Sequence, residues 1–333
     1  PTDVVTSLTK MGVTYQEIFL ERTGTNPVHD LRTLFGLMKL FERLRPDCAL
    51  LYTIKPVIYG SLAASYAHVP RVFSMITGLG YTFGDLSIKQ RLIGLPVQKL
   101  YHVALTKNNA VFFQNPDDRE LFMKKRLIAG PEQAVLINGS GVDLTYYQQA
   151  PPVIDKISFL LIARLIRDKG IYEYVEAARR VKRCYPDVVF RLLGPFDSNP
   201  SAISRATVEQ WQGEGVIEYL GKTTDVRPYI SDCSVYVLPS YREGTPRTVL
   251  EAMAMGRPVV TTDAPGCRET VVDGKNGYLV PVKNVDELVR VLERFISRPE
   301  LIPGMGKEGR RIAVEKYDVR KVNETILRTT GLL

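Results

Sequence analysis

At 333 residues, with 45% hydrophobic and 24% charged side chains, the chain exceeds one ordinary core and is too apolar to be disordered, so two globular domains are expected. No apolar run reaches the length of a membrane span, and Cys48, Cys184, Cys233 and Cys267 have neither metal-ligand nor redox spacing, which points to reduced thiols in a cytosol. The net charge of +8 alone would suit nucleic acid, but no zinc-finger or RNA-recognition signature accompanies it, and no nucleic-acid partner is expected.

From the N-terminus, short apolar strands alternate with helical stretches. The first half predicts strands over residues 14–20, 49–54, 71–77, 110–114 and 134–138. Helices are predicted over 30–44, 56–68, 88–105 (broken at Gly94 and Pro96) and 116–126. A normal domain of this kind starts with one more strand–helix unit, about 30 residues long. Its absence before residue 14 predicts an N-terminal truncation that leaves one wall of the cleft incomplete. The second half predicts strands over 157–163, 188–193, 216–220, 235–239, 258–262 and 278–280. Its helices are 171–184, 201–212, 226–232, 246–255 and 285–297, and a last helical stretch, 310–333, is placed to pack back on the first domain.

The strand runs are apolar at consecutive positions, the pattern of parallel strands covered on both faces. Two Rossmann-like, doubly wound α/β domains follow. Glycines and prolines between residues 141 and 154 put the boundary there, giving domains of 1–147 and 148–333. Charge is uneven. Residues 48–116 hold Lys55, Arg71, Lys89, Arg91, Lys99 and Lys107 against Asp85, a local net of +5. This is either a solvated basic face or a contact for anionic lipid head groups or a diphosphate-bearing acceptor.

The most informative stretch is Tyr241-Arg242-Glu243-Gly244-Thr245-Pro246-Arg247, followed by a helix carrying Glu251. It succeeds a buried strand. Thr245 is the expected N-cap, with Pro246 in the first helical turn. A strand, a glycine turn and a helix N-terminus offer backbone N–H groups and a dipole to phosphate. Carboxylates there would repel bare phosphate, but they accept hydrogen bonds from sugar hydroxyls. A nucleotide sugar satisfies both demands. Glu251 is placed to accept a ribose diol and Glu243 to lie nearer the transferred sugar; taken singly, Glu243 could equally complement the helix dipole and Glu251 could be an exposed helical carboxylate.

Arg164 and Lys169 follow the first strand of the second domain, at the edge where open parallel sheets bind ligands. Together they could grip a diphosphate and stabilise charge on the leaving group. The turns at Gly194-Pro195 and Leu220-Gly221 offer a floor for a nucleobase. In the first domain, Thr77-Gly78-Leu79-Gly80 could bring N–H groups to an acceptor, and Lys55 is either a phosphate clamp or a solvated lysine. His68 and His102 read as structural. There is no Asp-x-Asp and no histidine pair with metal spacing, so no metal or other cofactor is expected.

These motifs together resemble the retaining glycosyltransferases of family 4, which have the GT-B fold. The resemblance runs over nearly the whole chain and is most specific from Arg164 to Pro281. It rests on Glu243-Gly244-Thr245-Pro246, on Leu250-Glu251-Ala252-Met253-Ala254-Met255-Gly256-Arg257-Pro258, and on the stretch from Gly266 to Gly277-Tyr278-Leu279-Val280. It implies two Rossmann-like domains facing across a cleft. It also implies a donor diphosphate on Arg164 and Lys169, ribose on Glu251, and the sugar and distal phosphate on Glu243 with the backbone of Thr245, Pro246 and Arg247. Thr53-Ile54-Lys55-Pro56 and Met75-Ile76-Thr77-Gly78-Leu79-Gly80-Tyr81 are similar to bacterial enzymes that extend polyprenyl-diphosphate-linked sugars for O-antigen, capsule or glycoprotein glycans. Many members have histidine where this chain has Thr77.

The resemblance therefore implies metal-independent transfer of a hexose or N-acetylhexosamine from a UDP-sugar, with retention, to a lipid-linked saccharide. The enzyme would work in the cytoplasm, peripherally on the anionic inner face of the cell membrane. A UDP-sugar epimerase of the same architecture and a non-catalytic nucleotide-sugar-binding subunit are the alternatives.

Overall fold

Two parallel sheets carry the chain, seen in a computed structural model that describes residues 2–21, 26–78 and 88–333. The first sheet is β1 (Cys48–Tyr52), β2 (Arg71–Ile76), β3 (Ala110–Phe113) and β4 (Ala134–Leu136), paired in chain order. The second comprises β5 (Ser158–Ile162), β6 (Val189–Leu193), β7 (Glu218–Tyr219), β8 (Val235–Leu238), β9 (Val259–Thr262) and β10 (Gly277–Val280). Its order is β10-β9-β8-β5-β6-β7. The chain winds outward from β5 to β7, then starts again at β8 on the other side of β5. The winding reverses between β5 and β8, the place in an open parallel sheet where ligands commonly bind.

The consecutive apolar runs have the expected cause. In β5, Phe159 and Leu161 face one core cluster while Leu160 and Ile162 face another. In β3, Val111 and Phe113 pack with Tyr101 and Phe122, while Ala110 and Phe112 pack on the opposite side. Both faces of these two strands are therefore buried, and alternation of polarity has no use in them.

Residues 14–20 differ from expectation: they form no strand. The Thr33 hydroxyl donates to the Phe19 carbonyl at 3.0 Å, and the Phe19 ring lies edge-on to His29 and under the Arg32 guanidinium. The segment lies along the helix Pro27–Leu44, so its strand-like residues have no ladder to join. The helix Ile88–Leu105 runs on through Pro96, whose missing N–H does not end it. A π-type turn, Pro56–Gly60, opens the helix Ser61–Tyr66. The last stretch is two helices, Leu301–Lys316 and Val319–Thr330.

The break between those two helices has a purpose in the fold. Val142 N donates to the Tyr317 carbonyl at 2.8 Å and Val319 N to the Val142 carbonyl at 3.1 Å, so two chain crossings run side by side. Beyond this point the helix Val319–Thr330 covers the first sheet, with Val322 buried against Phe73, Met75 and Phe112. Arg71 Nη1 holds the end of this helix by donating to the Thr330 carbonyl at 2.9 Å. Val322→Ala should cost roughly 1–3 kcal/mol by lost burial and a residual cavity. Urea unfolding checks this; an unchanged midpoint would mean that the helix does not help to hold the first sheet.

Candidate functional site

The site starts from the two loops that flank the reversal point. After β5 the chain makes a 3-10 turn, Arg167–Lys169, and ends it at Gly170 with φ of 71°. A Cβ on Gly170 would lie 2.0 Å from the Pro239 carbonyl oxygen, so only glycine lets this loop sit against the end of β8. The loops are then stitched: Tyr241 N and Ser240 Oγ both donate to the Asp168 carbonyl, at 2.9 and 3.0 Å. This brings Lys169 Nζ to 2.5 Å from Glu243 Oε1, with both side chains less than one-fifth exposed. The charge-assisted bond joins the loops that follow β5 and β8.

The helix Arg247–Ala254 opens four residues after Glu243, with Pro246 as its N-cap. Thr245 is not the cap. Its hydroxyl donates instead to the Gln114 carbonyl at 2.9 Å, at the end of β3 in the first half. Among the described residues no side chain caps this helix, so the N–H groups of Arg247 and Thr248 have no cap, while Val249 N turns back to the Pro246 carbonyl at 3.1 Å. The Tyr236 phenol fixes the first turn from beneath, 2.6 Å from Thr248 Oγ1 and 3.1 Å from the Ile162 carbonyl.

Glu251 occupies the second turn and is 6% exposed, which rules out an ordinary solvated helical carboxylate. Burial lifts its pKa above the usual glutamate value, while a hydrogen bond from the Tyr147 hydroxyl and the charge of Arg247 pull it down. Arg247 Nη2 stands 3.6 Å from Glu251 Oε1 and is itself largely exposed.

Between the two carboxylates, Gly244 touches the first half. A Cβ on Gly244 would lie 2.3 Å from the Thr77 carbonyl oxygen and 2.6 Å from Gln114 Oε1. Lys169, Glu243, Gly244, Thr245, Pro246, Arg247 and Glu251 are thus drawn into one region, with Thr77 and Gly78 against it. Gly80 lies outside the described residues.

The other expected residues sit apart from this constellation or are engaged locally. Arg164 Nη1 bonds Asp197 Oδ2 at 2.8 Å, with its side chain 47% exposed. Lys55 is not a solvated lysine: Nζ pairs with Asp30 Oδ1 at 2.7 Å in a mostly buried position, and Tyr59 also bonds Asp30. Gly194 donates to the Gly221 carbonyl and accepts from the Tyr219 hydroxyl, and Pro195 accepts from Leu165 N. Leu220 N donates to the Leu192 carbonyl. These backbone groups tie the loops to one another. Sequence reasoning missed Tyr147, Asp197, Asp30 and Asn115. Only Asn115 had a local signal, since Asn before Pro marks a helix start.

No three His, Cys, Asp or Glu side chains converge as a metal donor set among the described residues. No helix among them is long and apolar enough to cross a membrane.

Comparison with known proteins gives two family matches. Residues 156–298 match the sequence model of "Glycosyl transferases group 1", and residues 4–115 match "Glycosyl transferase 4-like". The chain is 28% identical over 320 residues to an N,N'-diacetylbacillosaminyl-diphospho-undecaprenol alpha-1,3-N-acetylgalactosaminyltransferase of Campylobacter jejuni, spanning 92% of this chain and 82% of that one. It is 24% identical to a UDP-Gal:alpha-D-GlcNAc-diphosphoundecaprenol alpha-1,3-galactosyltransferase of Escherichia coli, over 88% of this chain and 77% of that one. A sucrose-phosphate synthase from Thermosynechococcus elongatus superposes with a TM-score of 0.78 at 18% identity, covering 93% of this chain and 79% of that one. That likeness shows the GT-B fold. The matched families are those of sugar transfer, and the epimerase alternative is not carried further.

Gly244→Ala should push the two halves apart at Thr77 and Gln114. Forced contact of this kind costs roughly 1–3 kcal/mol. Thermal unfolding together with small-angle scattering checks it: a lower midpoint and a wider molecule are expected, and an unchanged profile would contradict the close approach.

Proposed function

This chain belongs to the glycosyltransferases, with a 4-like first part and a group 1 second part, and from that membership we propose its reaction. It moves a hexose or N-acetylhexosamine from a UDP-sugar to a saccharide carried on a polyprenyl diphosphate, with retention of configuration. One observation carries the donor side of this reading. An uncapped helix N-terminus, a cation and two carboxylates meet where the sheet reverses its winding. The lipid-linked acceptor comes from what both diphospho-undecaprenol relatives are named for, and the UDP-sugar from the name of the Escherichia coli one.

In this reading Glu251 accepts both ribose hydroxyls, and the helix N-terminus with the backbone of Thr245, Pro246 and Arg247 holds the distal phosphate. Lys169 leaves Glu243 for the diphosphate. That exchange frees the Glu243 carboxylate to accept from hydroxyls of the transferred sugar. The loops at Gly194, Pro195 and Leu220 lie under the base. As the anomeric C–O bond to UDP breaks, negative charge grows on the diphosphate, and Arg164 with Lys169 stabilises it. The acceptor hydroxyl oxygen bonds the anomeric carbon on the same face, and its proton passes to the departing phosphate oxygen. Lys55, Thr77, Gly78 and Gly80 hold the acceptor. The cation pair takes the part a divalent metal plays in other transferases. The enzyme works on the cytoplasmic face of the membrane, with the basic stretch of residues 48–116 toward anionic lipid.

The test is a donor screen with a synthetic polyprenyl-diphosphate sugar, read by mass spectrometry. Arg164→Ala should lower kcat about 10- to 100-fold while UDP affinity changes little, and a chelator should leave the wild-type rate intact. Full activity of the variant, or loss of rate with chelator, would remove this assignment.

Glu251 gives a second test with opposite signs. Its folded pKa is raised, so its contribution to stability is greatest below the ordinary glutamate pKa and is lost as pH rises through the folded value. Glu251→Gln should therefore raise Tm at neutral pH and yet weaken UDP binding about tenfold, about 1.4 kcal/mol. Wild-type affinity should fall as pH drops through the raised pKa, and the variant should lack that fall. Calorimetry of both proteins checks it; undiminished UDP affinity in the variant would contradict the ribose role.

A further inference from the structure

The first half contributes to the seam between the two halves through residues 114–118, which lie outside the motifs read from the sequence. Asn115 is fully buried and works in two directions. Its Oδ1 accepts from Asp118 N at 2.8 Å and caps the helix Pro116–Lys124. Its Nδ2 lies 2.9 Å from the Gly244 carbonyl and 3.4 Å from that of Glu243, in the other half of the molecule. The same nitrogen is 3.1 Å from Asp118 Oδ2.

Three neighbours act across the same gap. The Asp118 carboxylate, wholly buried, pairs with the Arg242 guanidinium. Arg268 Nη1 reaches Asp117 Oδ1 at 3.1 Å, and the Thr245 hydroxyl donates to the Gln114 carbonyl. Residues 114–118, at the end of β3, thus grip residues 242–245 by side chain and by main chain. The gripped carbonyls belong to Glu243 and to Gly244, immediately before the uncapped helix start. A helix cap could have been satisfied by Ser or Asp, but a carboxylate has no proton to donate and a hydroxyl is too short to reach Gly244, whereas the amide caps with Oδ1 and donates from Nδ2.

We propose that Asn115 is a positioning residue for sugar transfer. Through its Nδ2 the first half sets the backbone of the Glu243–Gly244 loop, so the transfer loop is correctly placed only when the two halves are closed on each other. This rests on the transferase reading of the site for its catalytic consequence, but not for the latch itself. Asn115 touches no atom of the proposed donor, so nucleotide binding and transfer should separate.

The test uses Asn115→Ser in the full chain. Serine is a good N-cap and keeps the Pro116–Lys124 helix, but it is too short to reach Gly244. Hydrogen–deuterium exchange over residues 241–249 should quicken severalfold, UDP affinity should stay within about twofold, and kcat should fall at least tenfold with little change in donor KM. Unchanged exchange would overturn the latch. Faster exchange with an unchanged kcat would overturn the positioning role. Faster exchange in a protein that binds no UDP even as wild type would keep the latch and sink the donor reading instead. Should the serine variant not fold, Thr245→Val deletes the neighbouring bond to Gln114 with nearly the same shape, and quicker exchange over the same residues is the result required.

Discussion

Lys169 and Glu243 meet at 2.5 Å across the point where the second sheet reverses its winding, and much of the molecule is arranged to allow it. The pair needs Gly170 to let one loop fold against β8, and it needs the stitches from Tyr241 and Ser240 to Asp168 to hold the other. A partly buried ion pair is weak support for stability, because the desolvation of both charges offsets their attraction. Its value here is positional. Each charge is held beside the other between the β5 and β8 loops, and in the proposed reaction an incoming phosphate would replace the carboxylate while incoming hydroxyls replace the ammonium.

The second constraint is the grip of the first half on that same loop. Gly244 is pressed against Thr77 and Gln114, and its carbonyl is held by Asn115. The two chain crossings, zipped at Val142 and Val319, keep the halves registered from behind. Glu251 lies in the second turn of that helix, where the Tyr147 hydroxyl and the charge of Arg247 only partly offset the cost of burying its carboxylate. A charge kept where an uncharged residue would be more stable is a cost that function commonly explains.

Much of this was legible in the sequence, for definite physical reasons. Runs such as Phe159 to Ile162 and Val235 to Leu238 are apolar on both faces, which only covered parallel strands require. Glu243 to Pro246 after such a run marked the site. What escaped was set by distant partners. The Thr245 hydroxyl looked like a cap because helix starts use threonine; it went to Gln114, 131 residues away. Residues 14–20 have strand chemistry but meet a helix face. Lys55 gave no sign of Asp30, nor Glu251 of Tyr147, because neither pair has a local spacing that betrays it.

The most direct measurement is a crystal structure of the protein with UDP bound. Lys169 Nζ should have left Glu243 for a phosphate oxygen, with both ribose hydroxyls donating to Glu251 and the distal phosphate at the N–H groups of the helix that starts at Arg247. UDP seated away from that helix, or a Lys169–Glu243 contact that survives its arrival, would contradict the exchange on which the site is built.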